Sequence, residues 1–195
     1  MNLIGYNLSG PDNGTFMFRG GSEVKRCPEC GYHVDFLAYN PDYQFKRREA
    51  GKYDGYIKRG VDFSSTYDLY DIVSDRFRTF CLEQQYEGLS FGEFSNDKTH
   101  FNIMPNRIVR FDALRRKTNF EKLCSVCGNY ESVVGATPPY LLRSKPLEDG
   151  FYRSDLLFGS GDRKGPLILV GLETKAKLKA ANLKGLEFSP AFGRG

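Results

Sequence analysis

Two windows of the chain carry the same order of apolar and polar positions. YDIVSDRFRTFCLEQQYEGLSF at 70–91 lies over LILVGLETKAKLKAANLKGLEF at 167–188 without a gap, so that Val73 falls on Val170, Gly88 on Gly185, Leu89 on Leu186 and Phe91 on Phe188. Each window opens on a short apolar run, YDIV or LILV, that predicts a strand. A helix follows in each, near 74–86 and near 172–184. In the first, Phe77, Phe80 and Cys81 fall at helical spacing behind Ser74, whose hydroxyl is placed to cap the helix N-terminus. In the second, Leu172, Ala176, Ala180 and Leu183 form the expected apolar stripe. Gly88 and Gly185 stand where a helix end wants a left-handed residue, ahead of LSF and LEF, which alternate as strands do.

The same offset governs the cysteines. CPECG at 27–31 and CSVCG at 124–128 are 97 positions apart, as the two windows are. The chain therefore reads as a duplication, with copies over about 20–97 and 117–195. Each copy holds a Cys-x-x-Cys-Gly knuckle, a variable middle, a strand, a helix, a glycine and a second strand. The fold class this predicts is α+β, with mixed α/β as the alternative. Turn-rich pieces such as SGPDNG, GSGDRKG and ATPPY join the elements, and no low-complexity linker divides the halves, so 1–195 is expected to fold as one globular domain.

With 195 residues, 40% of them apolar and 14% aromatic, the chain can bury a core of its own, and a metal is not needed merely to make it fold. No basic and apolar leader opens it and no run of 18 apolar residues occurs in it, which points to a soluble, cytoplasmic protein with no membrane partner. In a reducing compartment, paired cysteines are metal ligands or redox centres more often than disulfides. A two-residue gap lets two thiolates grip one ion from a tight turn, and the glycine after the second cysteine supplies left-handed backbone. Two knuckles then complete one closed tetrahedral site, Cys27, Cys30, Cys124 and Cys127, with structural zinc as the expected cofactor. Thioredoxin-like chemistry is the alternative, but CPECGYHVD reads as a turn instead of the start of a helix after a strand.

Other pieces have plainer readings. Cys81 belongs to the apolar side of its helix, with Leu178 as its repeat partner. GSGDRKG at 159–165 lacks a Walker A pattern and precedes a strand, so it is expected to be a turn. His33, beside the first knuckle, is expected to face solvent, and KRRE at 46–49 and RRK at 115–117 read as solvated surface. Two histidines assemble no nucleophile and base, and four thiolates leave a metal no open position, so no enzymatic activity is expected.

Charge is unevenly spread. Residues 61–97 hold eight acids against two bases, a net of −6, whereas 98–195 hold nine acids against 17 bases, a net of +8. An acidic segment can steer a basic partner, and Asp68, Asp71, Asp75 and Glu83 are the candidate contacts. The doubled knuckle, VSDRFRTFCLEQQYEGLSF between its halves, RSDLLFG after the second and LKGLEFSPAF at the end resemble the double-CXXCG motif family of bacterial immunity proteins in polymorphic toxin systems. That resemblance spans nearly the whole chain and implies a protein that binds and neutralises a cognate toxin effector. It carries over Cys27, Cys30, Cys124 and Cys127 as zinc ligands and Gly31 and Gly128 as knuckle glycines, and no catalytic residue. A zinc-ribbon-like nucleic-acid binder is the alternative, disfavoured by widely spaced knuckles and by basic residues scattered along the sequence.

Overall fold

The computed structural model describes residues 1–18, 25–33, 35, 38–43 and 61–194, so KRRE at 46–49 lies outside the described residues. In chain order come β1 (Asn2–Ser9), β2 (Phe63–Ser65), β3 (Asp71–Ser74), α1 (Asp75–Glu83), β4 (Leu89–Phe94), β5 (Asp97–Pro105) and β6 (Ile108–Val109). Then follow α2 (Ala113–Arg116), β7 (Asn119–Leu123), β8 (Tyr130–Val134), β9 (Phe151–Ser160), β10 (Arg163–Val170), α3 (Leu172–Ala180) and β11 (Glu187–Gly193). Against the balanced α+β expectation, the described residues are mostly β, with 43% strand and 13% helix. The difference lies in the middle regions. The β7–β8 and β9–β10 hairpins pair across turns, and largely exposed strands such as NFEKL show little alternation for a sequence reading to find.

Among the described residues, two sheets enclose one central core. The larger has seven strands in the order β11-β1-β10-β9-β8-β7, with β6 parallel to β9, and curls as a half barrel. The smaller has the order β2-β3-β5-β4. Period-two alternation assigns each strand a face. Val73 on β3 and Ile168 and Val170 on β10 point into the central core, where Phe77 and Cys81 of α1 and Leu178 of α3 meet them. Ile72 turns to the outer side of the small sheet, with Met17, Tyr43 and Phe94. Leu169 turns to the far side of the large sheet, with Ile4, Val133 and Phe158.

The two sheets share a register. In the small sheet, Val73 pairs with Phe101, Ile72 with Asn102, and Phe91 with Ile103. Within the large sheet, Val170 pairs with Tyr6, Leu169 with Asn7, and Phe188 with Leu8. Thus β1 takes between β10 and β11 the place that β5 takes between β3 and β4, with Asn7 standing where Asn102 stands. Both asparagines are buried.

α1 starts as expected, with the Ser74 hydroxyl accepting from the Phe77 N–H at 3.2 Å. The inward face of α3 differs from the expected stripe. Leu172 is 37% exposed and Ala176 and Ala180 are exposed, while Thr174 and Leu178 are fully buried. Thr174 and Leu178 lie 97 positions after Phe77 and Cys81, the buried pair of α1, so the repeat offset locates the inward face where hydrophobicity does not. Thr174 is tolerated there because its hydroxyl donates to Asp149 at 2.7 Å and accepts from the Gly150 N–H at 2.6 Å. The left-handed residues just past the helices are Gln85 (φ 54°) and Asn182 (φ 52°); Gly88 (φ 68°) and Gly185 (φ 79°) come three positions later and open the next strands. At Gly185 a Cβ would lie 2.4 Å from Val61, which leaves no room for a side chain.

Candidate metal centre

Each knuckle is built from its own backbone. Gly31 N–H donates to the Cys27 carbonyl and Gly128 N–H to the Cys124 carbonyl, both at 2.9 Å, and the two glycines sit at φ 70° and 71°. The turns close with Cys27 N–H on the Tyr32 carbonyl and Cys124 N–H on the Asn129 carbonyl, both at 2.8 Å. The second knuckle is the tip of the β7–β8 hairpin, where Leu123 pairs with Tyr130. The first repeats that pairing as a lone bridge between Arg26 and His33.

Folding brings the two knuckles face to face. Cys27 Sγ lies 3.7 Å from Cys124 Sγ, Cys30 Sγ lies 3.5 Å from Cys127 Sγ, and all four sulfurs fall within 4.8 Å of one another. All four cysteines are free, and these separations far exceed the roughly 2.05 Å of a disulfide. Thiolates at roughly 2.3 Å from a tetrahedral metal stand roughly 3.8 Å apart, so the four sulfurs fit a metal ion. Cys27 and Cys124 are buried, while Cys30 and Cys127 form the outer side.

The donor set suits a cation electrostatically. Hydrogen bonds from the Asn129 backbone and then its side chain draw the Cys127 thiol down to about 6. At Cys30 a hydrogen bond from the Tyr32 backbone pulls the other way, yet burial and the three neighbouring thiols push the group up to about 12. Four close thiols cannot all ionise without a positive charge among them.

The β9–β10 hairpin covers this site, and GSGDRKG is its turn, as expected. Gly161 N–H donates to the Glu131 carbonyl at 2.8 Å beside the second knuckle, while Asp162 meets Arg26 of the first at 3.6 Å. Lys164, only 7% exposed, donates to the Tyr130 carbonyl and places Nζ 4.1 Å from the centre of the Tyr32 ring. Nothing local in the sequence marks Lys164, because its position depends on the pairing of β9 with β8 through Ser132 and Ser160. His33 is not a ligand and does not face solvent. It is 5% exposed, edge-on to Phe18, with Nδ1 3.5 Å from the Tyr70 hydroxyl, and burial lowers its pKa. Cys81 packs in the core, and burial raises its thiol pKa.

The acidic segment divides on folding. Asp68 is buried, and its two oxygens accept from the Met17 and Phe18 N–H groups at 2.8 and 2.9 Å. Asp71 accepts from the Ser65 hydroxyl at 2.6 Å, and burial pushes its carboxyl up to about 7. Asp68 is committed inside the fold and Asp71 is half-buried behind its Ser65 bond, so of the four candidate contacts Asp75 and Glu83 are the exposed pair. Among the described residues no helix is long and apolar enough to cross a membrane. No family model, no curated protein and no solved structure matches the chain.

Proposed function

We propose that this chain is a non-enzymatic binding protein, an immunity protein that neutralises a cognate bacterial toxin effector by stoichiometric binding, and that one structural zinc at Cys27, Cys30, Cys124 and Cys127 holds its scaffold. The observation that carries the zinc assignment is the clustering within 4.8 Å of four sulfurs drawn from knuckles 97 residues apart. The ion closes a loop of that length, which makes it a cross-link between distant halves of the chain. Saturated by four protein ligands, it has no position for substrate and acts on structure alone.

The shared register of the two sheets supports a duplication, with the second unit completed by β1. The outer face of α1 supports the binding role. Leu82 there is 54% exposed, with Glu83 next to it, Asp75 at the helix start and Glu87 just beyond the helix end. An apolar anchor with Glu83 and Glu87 beside it, and the Asp75–Arg78 pair toward the helix start, suits a surface that offers basic groups, where the anchor gives affinity and the charges speed encounter. Co-expression with the effector encoded by a neighbouring gene tests the reading. Restored growth and an equimolar complex on gel filtration support it, while failure to rescue or to form a complex with any neighbouring effector removes it.

A further inference from the structure

Basic residues scattered along the sequence gather at one end of the fold. The Leu142 N–H donates to the Arg110 carbonyl and the Arg194 N–H to the Arg143 carbonyl, both at 2.8 Å, while Arg115 Nη1 reaches the Gly193 carbonyl at 2.9 Å. Between these segments lies an open groove of about 370 Å³, lined by Leu142, Arg143, Ser144, Lys145 and Arg194 with no acid in its wall. The carboxylates nearby are already occupied. Asp112 accepts from the Arg115 N–H and from Arg194 Nε, Glu148 holds Arg107 and Arg143, and Asp155 accepts from the Phe111 N–H. Among the described residues, the exposed side chains of Arg110 and Lys145 have no ion-pair partner, and positive charge is left in surplus.

This end lies apart from the metal centre. The β7–β8 ladder runs from Leu123 and Tyr130 at the knuckle to Asn119 and Val134 at its other end, next to the helix that carries Arg115.

We propose that this groove binds the phosphodiester backbone of a nucleic acid, a function independent of effector binding. Three features favour a phosphate polymer. The groove is too open to enclose a small metabolite, which a binding pocket would bury over most of its surface. Its cations are mainly arginines, whose fork matches phosphate oxygens. The arginines are also held in fixed positions, Arg143 by the Lys145 carbonyl at 2.9 Å and Arg194 by Asp112 at 3.3 Å, which lowers the ordering cost of engaging a ligand.

The test is fluorescence anisotropy on the zinc-loaded full chain, with a labelled single-stranded 15-mer and the matching duplex as probes. Binding at 50 mM salt that weakens about 50-fold by 200 mM is expected for about four phosphate contacts on the single strand. An R110A/K145A variant should bind at least about tenfold more weakly and show a shallower salt slope, with zinc content and melting temperature unchanged. Preference between the two probes identifies which form of nucleic acid supplies the backbone. The proposal is overturned if neither probe binds, if the double variant binds as tightly as the parent, or if poly-glutamate of equal charge competes as well as unlabelled oligonucleotide, since that would make the ligand an acidic polypeptide. Effector rescue and zinc content are measured separately, so failure here leaves the immunity reading to its own test.

Discussion

Lys164 places its ammonium 4.1 Å from the centre of the Tyr32 ring while donating to the Tyr130 carbonyl, so one buried cation bridges the segments that follow the two knuckles. Thiolates must be deprotonated to hold metal, and a positive charge at this position favours the deprotonated form. Acidification releases metal by protonating sulfur, so removing the charge should move release to higher pH. We expect Lys164→Met to raise the pH of half-release by roughly half a unit, and Lys164→Arg to restore most of the difference. A zinc-sensitive dye followed through an acid titration reads this directly. An unchanged midpoint in Lys164→Met would mean that the lysine serves packing alone.

Asp68 and Asp75 should part company under mutation. Asp68→Ala strands two N–H groups, at Met17 and Phe18, and should cost about 2–3 kcal/mol in denaturant unfolding. Asp75, with its side chain 57% exposed and only an Arg78 ion pair at 3.7 Å, should leave stability within about 0.5 kcal/mol when changed to Lys. Combined with Glu83→Lys, it should slow association with the effector and weaken the salt dependence of that rate. Unchanged association kinetics in the double variant would discard the α1 face as the interface.

Asp71 supplies a pH signature. Its folded pKa, about 7, lies above the ordinary carboxylate value, so the native state prefers the protonated form. Stability from that preference is complete below about pH 4, where the unfolded chain is protonated too, and is lost as pH rises through 7. Asp71→Asn keeps a neutral group of the same shape. It should therefore be near-neutral at pH 4 and more stable than the parent at pH 8, by about 3 kcal/mol. Parallel stability–pH curves for parent and variant would show that the carboxyl ionises without penalty.

Much of this architecture was legible in the sequence. The 97-residue offset related both knuckles, both helices and Leu178 to Cys81, whereas the stripe read from hydrophobicity, Leu172, Ala176 and Ala180, missed Thr174 because a threonine gives no apolar signal. Local reading failed where pairing is non-local. β1, at the start of the chain, is hydrogen-bonded to β10 and β11 at its end, and the β9–β10 hairpin reaches the metal centre only through its pairing with β8. The exposure of an acid was equally hidden, since Asp68 and Asp75 look alike in sequence and differ only in which backbone N–H groups lie near them.

The register match makes a topological prediction. Asn2 pairs with Gly193, so the ends of β1 and β11 are neighbours. In the matched register of the two sheets, the break between β11 and β1 corresponds to the turn at Ser95 and Asn96 between β4 and β5. A circular permutant that joins residue 195 to residue 1 through a short flexible linker and opens at Ser95–Asn96 should fold, bind the same amount of zinc and melt within a few degrees of the parent. A permutant that is expressed but aggregates, or loses its metal, would argue against equivalence of the two units.

On the proposed function, one metal ion cross-links the two halves through Cys27, Cys30, Cys124 and Cys127. Elemental analysis of protein purified under reducing conditions without chelators, read beside the four single Cys→Ser variants, tests it most directly. One zinc per chain is expected in the parent, with loss of both the zinc and several kcal/mol of stability in every variant. Two zincs per chain, none, or a variant that keeps its zinc and its melting temperature would contradict it.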